Sequence, residues 1–582
     1  MRSLLSWLRF RPIFLLFWMC GLCSPAVART NRVNSVGKVM PPDAAPLDEQ
    51  VFRAFDLDGT YMEWFKTVYK RTAGTVLIGE PLLRTNRNFD LIPGAAERWE
   101  ASPDGLTWTF HLRRGMVWSD GRPLTAHDYA YTYRRAADPD NAYDFEWFFR
   151  PIKNWSDVVG RRKPVSALGV QAIDEYTFAV TTEAPAPYLP MLLQQSWPSP
   201  KQAIDKYGDA WSTSPETSVS SGPFLLKEWR RNDLLILAAN PHYRGPEKPY
   251  LEQIIYRLYT PMAMPQILAT YEADEIDFAA IAGQAALGRV KSDPHLRSQL
   301  HEFVDYITMY LTMDTYHTVF KDVRVRRAFA HAIDRNALMK SVLRDIAVPA
   351  SSMLAPGFPA AASEQLRPLQ DYNLPLARRF LAEAGYPEGR GFPAVELWVR
   401  NRESEQMRSA AEAIQAMISQ TLHVRLEVRV IESKTFMDAL NTHRLPLALL
   451  PYSYDYYDAS NLMTLWLSNG RHAWKNDLFE RLVGQANQFM GPWVERERMY
   501  RKAERLLVSD VGGIFLWHPV TSQVWKPYLK GEELVPNRAG LLAWRGGRQE
   551  VTIYVTNDRH GRSSRFSLLT WLRRVFLPAT DH

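Results

Sequence analysis

Both cysteines of this 582-residue chain, Cys20 and Cys23, sit inside its first 28 residues. Whatever the remainder folds into therefore has no disulfide, no thiolate metal site and no cysteine nucleophile. The roughly 550 residues that follow exceed what one hydrophobic core usually holds, so two or three domains are expected. With 46% apolar residues overall and no long apolar stretch beyond the N-terminus, that body reads as globular.

The first 28 residues carry Arg2, Arg9 and Arg11 with no acid, then an apolar run from Ile13 to Cys23, then Ala26-Val-Ala28. Basic, apolar and small-residue regions in that order predict a secretory signal peptide cleaved after Ala28. The apolar run is about half the length that spans a bilayer as a helix. Lipoprotein processing fits less well, because Met19 and Leu22 precede the two cysteines where a small residue should stand. The expected location is periplasmic.

The formal charge of +7 is unevenly placed. The three signal arginines account for part of it, and residues 541–582 hold seven arginines against three acids, which leaves 29–540 formally neutral. A nucleic-acid binder shows a basic face on its folded body, and this body has no net excess. The tail segment Phe566–Phe576 mixes apolar residues with arginines. It reads equally as a short amphipathic helix on an anionic membrane, a disordered end, or a segment packed on the body.

Along the body, Thr107-Trp-Thr-Phe-His-Leu112 alternates after an Asp104-Gly105 turn, and Trp118–Gly121 supplies a second turn, as in an α+β unit. Val325, Phe329, Ile333, Met339 and Leu343 share one helical face over 323–343, and Met407, Ala411, Ile414, Met417 and Ile418 share another. Val424–Val430 then alternates as a strand, Thr435–Leu440 reads as a helix, and Leu445–Leu450 is a short continuous apolar run. That succession is the grammar of an open α/β sheet. A later helix starts with Pro492 in its first turn.

Several stretches carry a resemblance. They are Ala96-Glu-Arg-Trp99, Trp118-Ser-Asp-Gly-Arg-Pro-Leu-Thr-Ala126, Gly169-Val-Gln-Ala-Ile-Asp174, Ser221-Gly-Pro-Phe224, Asn240-Pro-His-Tyr243, Asp322-Val-Arg-Val-Arg326, Leu381-Ala-Glu-Ala-Gly-Tyr386 and Trp525-Lys-Pro-Tyr528. In this order they resemble the family-5 solute-binding proteins of ABC importers. Arg162–Gly169 and Lys434-Thr-Phe436 are most similar to the oligopeptide binders of that family. The resemblance implies an α/β, two-lobe periplasmic-binding-protein fold (type II, cluster C) with an extra α+β domain in the first lobe. On that pattern the first lobe is 29–75 plus 196–308 plus 516–545, the extra domain 76–195, the second lobe 309–515, and the basic tail 546–582. It further implies a monomer that takes short peptides, needs no cofactor and delivers to ABC permease subunits in the cytoplasmic membrane.

No H-E-x-x-H, G-x-S-x-G, Walker loop or G-x-G-x-x-G is present. The thirteen histidines are scattered, so His127, His331 and His518 read as packing or surface residues rather than metal ligands. Catalysis is disfavoured; a binder of another solute (sugar, nickel chelate, haem), a peptide sensor and a peptidase are the rival classes. The best binding candidate is Pro451-Tyr-Ser-Tyr-Asp-Tyr-Tyr-Asp458, which leaves the buried run where open α/β sheets bind ligands. Tyr452, Ser453, Tyr454 and Asp455 are the expected contacts, with Asp458 or Ser460 capping the next helix. The resemblance implies that Asp455, in an Asp-Tyr-x-x-Pro-like loop with Ala459 in place of proline, anchors a peptide's α-amino group. Tyr310, Trp517 and His518 fall near the two expected lobe crossings and are weaker candidates. Ser433, Leu440 and Leu449 stand where the oligopeptide binders carry a tryptophan and two basic residues, which puts ligand length and side-chain preference in question.

Overall fold

The computed structural model describes residues 32–537 and 549–561, apart from 73, 261–265 and 345. The expected cleavage site and the Phe566–Phe576 segment lie outside the described residues. Near the N-terminus, Val51–Leu57 pairs in parallel with Gln253–Tyr259, which continues antiparallel into Leu234–Ala239 and then Phe224–Arg230. One face of this sheet buries Phe52, Ala54, Leu235, Leu237, Ile254 and Tyr256, as the period of two in a half-buried sheet requires. The Ser221-Gly-Pro-Phe224 stretch lies against the backbone of 77–79. A Cβ on Gly222 would sit 2.4 Å from the Leu77 carbonyl oxygen, so only glycine allows this approach.

Residues 96–181 form the α+β unit. Ala96–Ala101, Thr107–Leu112, Thr177–Thr181 and Val170–Asp174 make an antiparallel four-stranded sheet in that spatial order. The helix Ala126–Ala137 lies on it, and Asp128 accepts from the Thr125 backbone N–H at 2.8 Å to close its N-terminus. The expected strand 107–112 and the glycine turns at Gly105 (φ 71) and Gly121 (φ 86) are found where the sequence put them.

The largest sheet is mixed. Val395–Arg400 runs parallel to both Leu426–Ile431 and Leu447–Ser453; Ile307–Met313 lies antiparallel to the latter, with Leu311 opposite Leu449. The strand Gly513–Trp525 pairs first with Ile307–Met313 and then, further along, with Leu300–Val304 and Phe278–Ile281. The chain therefore crosses from one region of the molecule to another along two neighbouring strands. A bond from the Asp305 N–H to the Pro519 carbonyl, 2.8 Å, ties the crossing points together.

Two local expectations are corrected. The 323–343 stretch is not one helix: Val323–Ala332 ends, Ile333 and Asp334 are extended, and a short helix Arg335–Leu338 follows. Asp334 caps that second helix through the Ala337 N–H at 2.9 Å, a bond a mid-helix aspartate would not make. The face survives the break, since Val325, Phe329, Ile333 and Leu343 are all buried in one cluster. Pro492 stands one position earlier than expected, as the extended residue before the helix Trp493–Ser509.

Candidate functional site

The parallel strands Val395–Arg400, Leu426–Ile431 and Leu447–Ser453 end at one edge of the large sheet, and the loop 454–458 leaves from that edge. Asp458 ends the loop as the N-cap of Ala459–Met463, accepting from the Ser460 N–H at 2.9 Å. Its carboxylate also takes a two-pronged ion pair from the buried Arg496 guanidinium at 2.7 and 2.8 Å. The capping role expected of Asp458 is thus observed, with its charge fully used inside the protein.

Asp455 is placed differently. Its Oδ2 accepts from the Tyr452 hydroxyl and the Asn461 amide, each at 2.9 Å, and its N–H donates to Asn461 Oδ1 at 2.8 Å. Its backbone carbonyl accepts from Gln195 Nε2 at 2.5 Å, across from the other side of the molecule. Among the described residues no cation pairs with this carboxylate, and its Oδ1 has no hydrogen bond. Burial pushes its carboxyl above the ordinary range, against the hydrogen bonds from Asn461 and Tyr452 and the positive charge of nearby Arg471. Burial, together with the Asp455 carboxylate, also raises the Tyr452 phenol well above its usual value.

The tyrosines around Asp455 diverge. Tyr456 enters the core of the α+β unit, stacked on Tyr188 at 5.9 Å and edge-on to Phe148. Tyr454 and Tyr457 turn to the other side and join Tyr306, Phe358 and Phe89 in a wall of rings. The Tyr457 hydroxyl donates to the Gly357 carbonyl at 2.7 Å. Ser453 is exposed at the strand end.

The three weaker candidates lie beneath this surface. Tyr310 is fully buried, its hydroxyl 3.1 Å from His472 Nε2. Trp517 is buried in the apolar cluster that also holds Leu311, Leu397 and Leu449 of the large mixed sheet. His518 is fully buried, with Nδ1 3.0 Å from the Ile307 carbonyl, and burial lowers its pKa to about 4. Leu440 and Leu449 are likewise buried in apolar clusters, while Ser433 opens its helix at the surface and bonds Asn401. Gln195, Asn461 and Arg496 escaped the sequence reading. Nothing in a lone amide or arginine so far along the chain marks it as a partner of this loop. Among the described residues no group of three or more His, Cys, Asp or Glu is arranged to hold a metal ion.

Comparison with known proteins bears on what this edge does. The model for bacterial extracellular solute-binding proteins, family 5 (middle region), matches residues 90–474. The chain belongs to this family. It is 30% identical over 456 residues to the periplasmic oligopeptide-binding protein OppA of Salmonella typhimurium, covering 75% of this chain and 81% of that one. It is 28% identical over 533 residues to the probable deoxycholate-binding periplasmic protein YgiS of Escherichia coli, covering 89% and 95%. Among solved structures it is similar to OppA of Burkholderia pseudomallei (24% identity, TM-score 0.69) and to the murein tripeptide binding protein MppA of Escherichia coli (23%, TM-score 0.67). Each match covers 88% of this chain and 100% of the other. The fold is the two-lobe α/β fold of these family-5 proteins, and the family is one of binding proteins rather than enzymes. No helix among the described residues is long and apolar enough to cross a membrane.

Proposed function

We propose that this chain is the periplasmic substrate-binding component of an ABC importer, exported with cleavage after Ala28, that closes its two lobes over short peptides and delivers them to a membrane permease. In this reading 29–75, 196–308 and 516–545 make the first lobe, 76–195 the extra domain and 309–515 the second lobe, hinged where Leu300–Met313 and Gly513–Trp525 run side by side. The observation that carries it is Asp455: a carboxylate at the mouth of a buried strand, held by Tyr452 and Asn461 and, among the described residues, in ion-pair contact with no cation. Every peptide with a free amino end supplies the missing charge whatever its side chains, and a broad receptor needs its anchor on such a shared feature. Ser453 and Tyr454 flank the anchor, with Tyr310, Trp517 and His518 behind them as the supporting strands.

Removing one partner of a buried ion pair costs about 3–5 kcal/mol, on the order of two to four powers of ten in affinity. Calorimetry of Asp455→Asn with free-amine peptides, and of the wild type with their N-acetylated forms, should show comparable large losses. Equal affinity of the variant for free-amine peptides would sink the assignment. Mass spectrometry of what co-purifies with the native protein tests the ligand class directly.

A second reading has one observation in its favour. The match to the deoxycholate-binding relative runs over more of this chain than the oligopeptide-binding one. The ring wall of Tyr306, Phe358, Tyr454 and Tyr457 suits a flat apolar body. Such a ligand has no ammonium, so Asp455→Asn would leave its affinity unchanged.

A further inference from the structure

A group of hydrogen-bond donors that lack acceptors lies far from Asp455 in sequence. Arg71 places its guanidinium carbon 4.0 Å over the centre of the Trp64 ring. The Trp64 indole N–H, the Tyr143 hydroxyl and Arg71 Nη1 are all buried, and among the described residues none of the three has a hydrogen-bond partner. Tyr143 belongs to the same group. Burial and the Asp144 carboxylate raise its phenol well above the usual value against the Arg71 charge, and the Trp64 indole lies near enough to temper the shift without closing a hydrogen bond.

The carboxylates around Arg71 are engaged elsewhere. Asp144 accepts from the Thr67 hydroxyl and from the Val68 N–H at 2.8 Å, and Asp56 accepts from the Leu57 N–H at 2.6 Å. Both attract Arg71 through space, and among the described residues neither makes an ion pair with it. Burial lowers the Arg71 pKa to about 10 against that attraction, so the guanidinium stays charged at neutral pH.

The segment is fixed before any ligand arrives. The Thr60 N–H bonds the Lys70 carbonyl at 2.6 Å and the Thr72 N–H bonds the Tyr61 carbonyl at 3.1 Å, which pins the chain on both sides of Arg71. A Cβ on Gly59 would stand 2.2 Å from the Arg71 carbonyl carbon, so only glycine allows the two segments to meet. Two residues before Arg71, Tyr69 is exposed, and desolvation together with the Asp144 and Asp455 carboxylates raises its phenol. The segment that carries Arg71 therefore faces the ligand loop. A guanidinium fork flanked by an indole N–H and a phenol O–H suits a planar anion with two oxygens to offer. Water alone would fill the donors and leave the charge unbalanced.

We propose that Arg71, Trp64 and Tyr143 form a subsite for a carboxylate carried by the ligand, separate from the Asp455 anchor. An acidic peptide side chain and the acid group of a molecule such as deoxycholate share this chemistry. The inference deepens the binding-protein reading given above and rests on it.

The test uses the full mature protein, freed of endogenous ligand. Calorimetry compares tripeptide pairs that differ only by glutamate or glutamine at each position in turn, with deoxycholate as a separate arm. The wild type should bind the glutamate member of at least one pair about 10- to 100-fold more tightly, the range for hydrogen bonds to a charged group. Arg71→Gln, checked for an unchanged melting temperature, should lose that preference. Tyr143→Phe, which removes a hydroxyl that has no partner to lose, should weaken it. Asp455→Asn should lower the affinity for both members of a pair and keep their ratio. Deoxycholate bound by the wild type and lost in Arg71→Gln, with no peptide bound, keeps the subsite and ends the peptide reading. Equal affinity within every pair, or a preference that survives in Arg71→Gln, overturns the inference and leaves the peptide reading standing. A folded wild type that binds neither peptides nor deoxycholate overturns both.

Discussion

Phe89 and Tyr457 stack ring to ring across the molecule, centroids 4.3 Å apart and planes inclined by 21°. Tyr457 belongs to the loop after the central strand, and Phe89 sits at the tip of the hairpin between Leu83–Thr85 and Leu91–Pro93. The hairpin is drawn tight by Asn86, whose side-chain oxygen accepts from the N–H groups of Asn88 and Asp90 at 2.8 and 3.1 Å. Phe89 is left with a left-handed backbone, φ 62, which a bulky residue rarely adopts. Such a conformation costs on the order of 1–3 kcal/mol and persists only where contacts over-determine it.

Phe89→Gly should therefore relax the hairpin while deleting the ring contact with Tyr457. Aromatic pairs contribute about 0.5–1.5 kcal/mol beyond their buried area, so ligand affinity should fall by roughly 2- to 10-fold. In the ligand-free protein, small-angle scattering should report a larger radius of gyration than the wild type. An unchanged radius and affinity would mean that the ring does not hold the lobes together.

The two aspartates of the loop should respond oppositely to loss of charge. Arg496→Met strands the buried Asp458 carboxylate and should cost about 3–5 kcal/mol in denaturant unfolding. Asp455→Asn removes a carboxylate that burial already disfavours, so the ligand-free protein should be as stable as the wild type or more so. Its folded-state carboxyl holds its proton to higher pH than the unfolded chain does, so ionising it lowers stability as pH rises through that window. In Asp455→Asn that part of the pH dependence should vanish. A variant markedly less stable than the wild type near neutral pH would contradict this.

Glu504 offers a cleaner pH test. Fully buried on the helix Trp493–Ser509, it accepts from the Ser352 hydroxyl and from the Ala362 N–H at 2.8 Å, and so ties down both ends of the segment that carries Phe358. Burial pushes its carboxyl up to about 8. At pH 4 and below, folded and unfolded chains both carry the proton. Between there and pH 8 the unfolded chain has lost it while the folded chain keeps it, so stability falls as pH rises, by an amount on the order of a few kcal/mol. Glu504→Gln can bond both partners without the charge. Its melting temperature should match the wild type at pH 4–5 and exceed it at pH 8. A lower melting temperature at pH 8 would show that the ionised form is the one the fold prefers.

Much of the local structure was legible from residue order alone. The strand at 107–112, the helix of Glu405–Leu422 with its buried Met407, Ala411, Ile414 and Ile418, and the buried strand before the tyrosine loop all follow from periodicity. Periodicity reports how neighbours share one face of one element. The capping of Ala459–Met463 by Asp458 was legible for the same reason, because a cap and its N–H lie two residues apart. The break at Asp334 was missed because an apolar face continues through it while the backbone does not.

Residue order is thus enough to say which segments become strands and helices, and that a carboxylate among tyrosines follows the central strand. Which carboxylate keeps its charge free was decided only by the tertiary structure. Arg496, 38 positions from Asp458, neutralises that aspartate; Gln195, 260 positions from Asp455, reaches only its backbone. Arg471 comes to rest over the Tyr452 ring, and Phe89 meets Tyr457 from a distant part of the chain. Pairing between charges falls off over a few ångströms, whereas separation along the chain sets no distance in space. The partner of a buried charge is therefore a property of the folded path, and no spacing in the sequence encodes it.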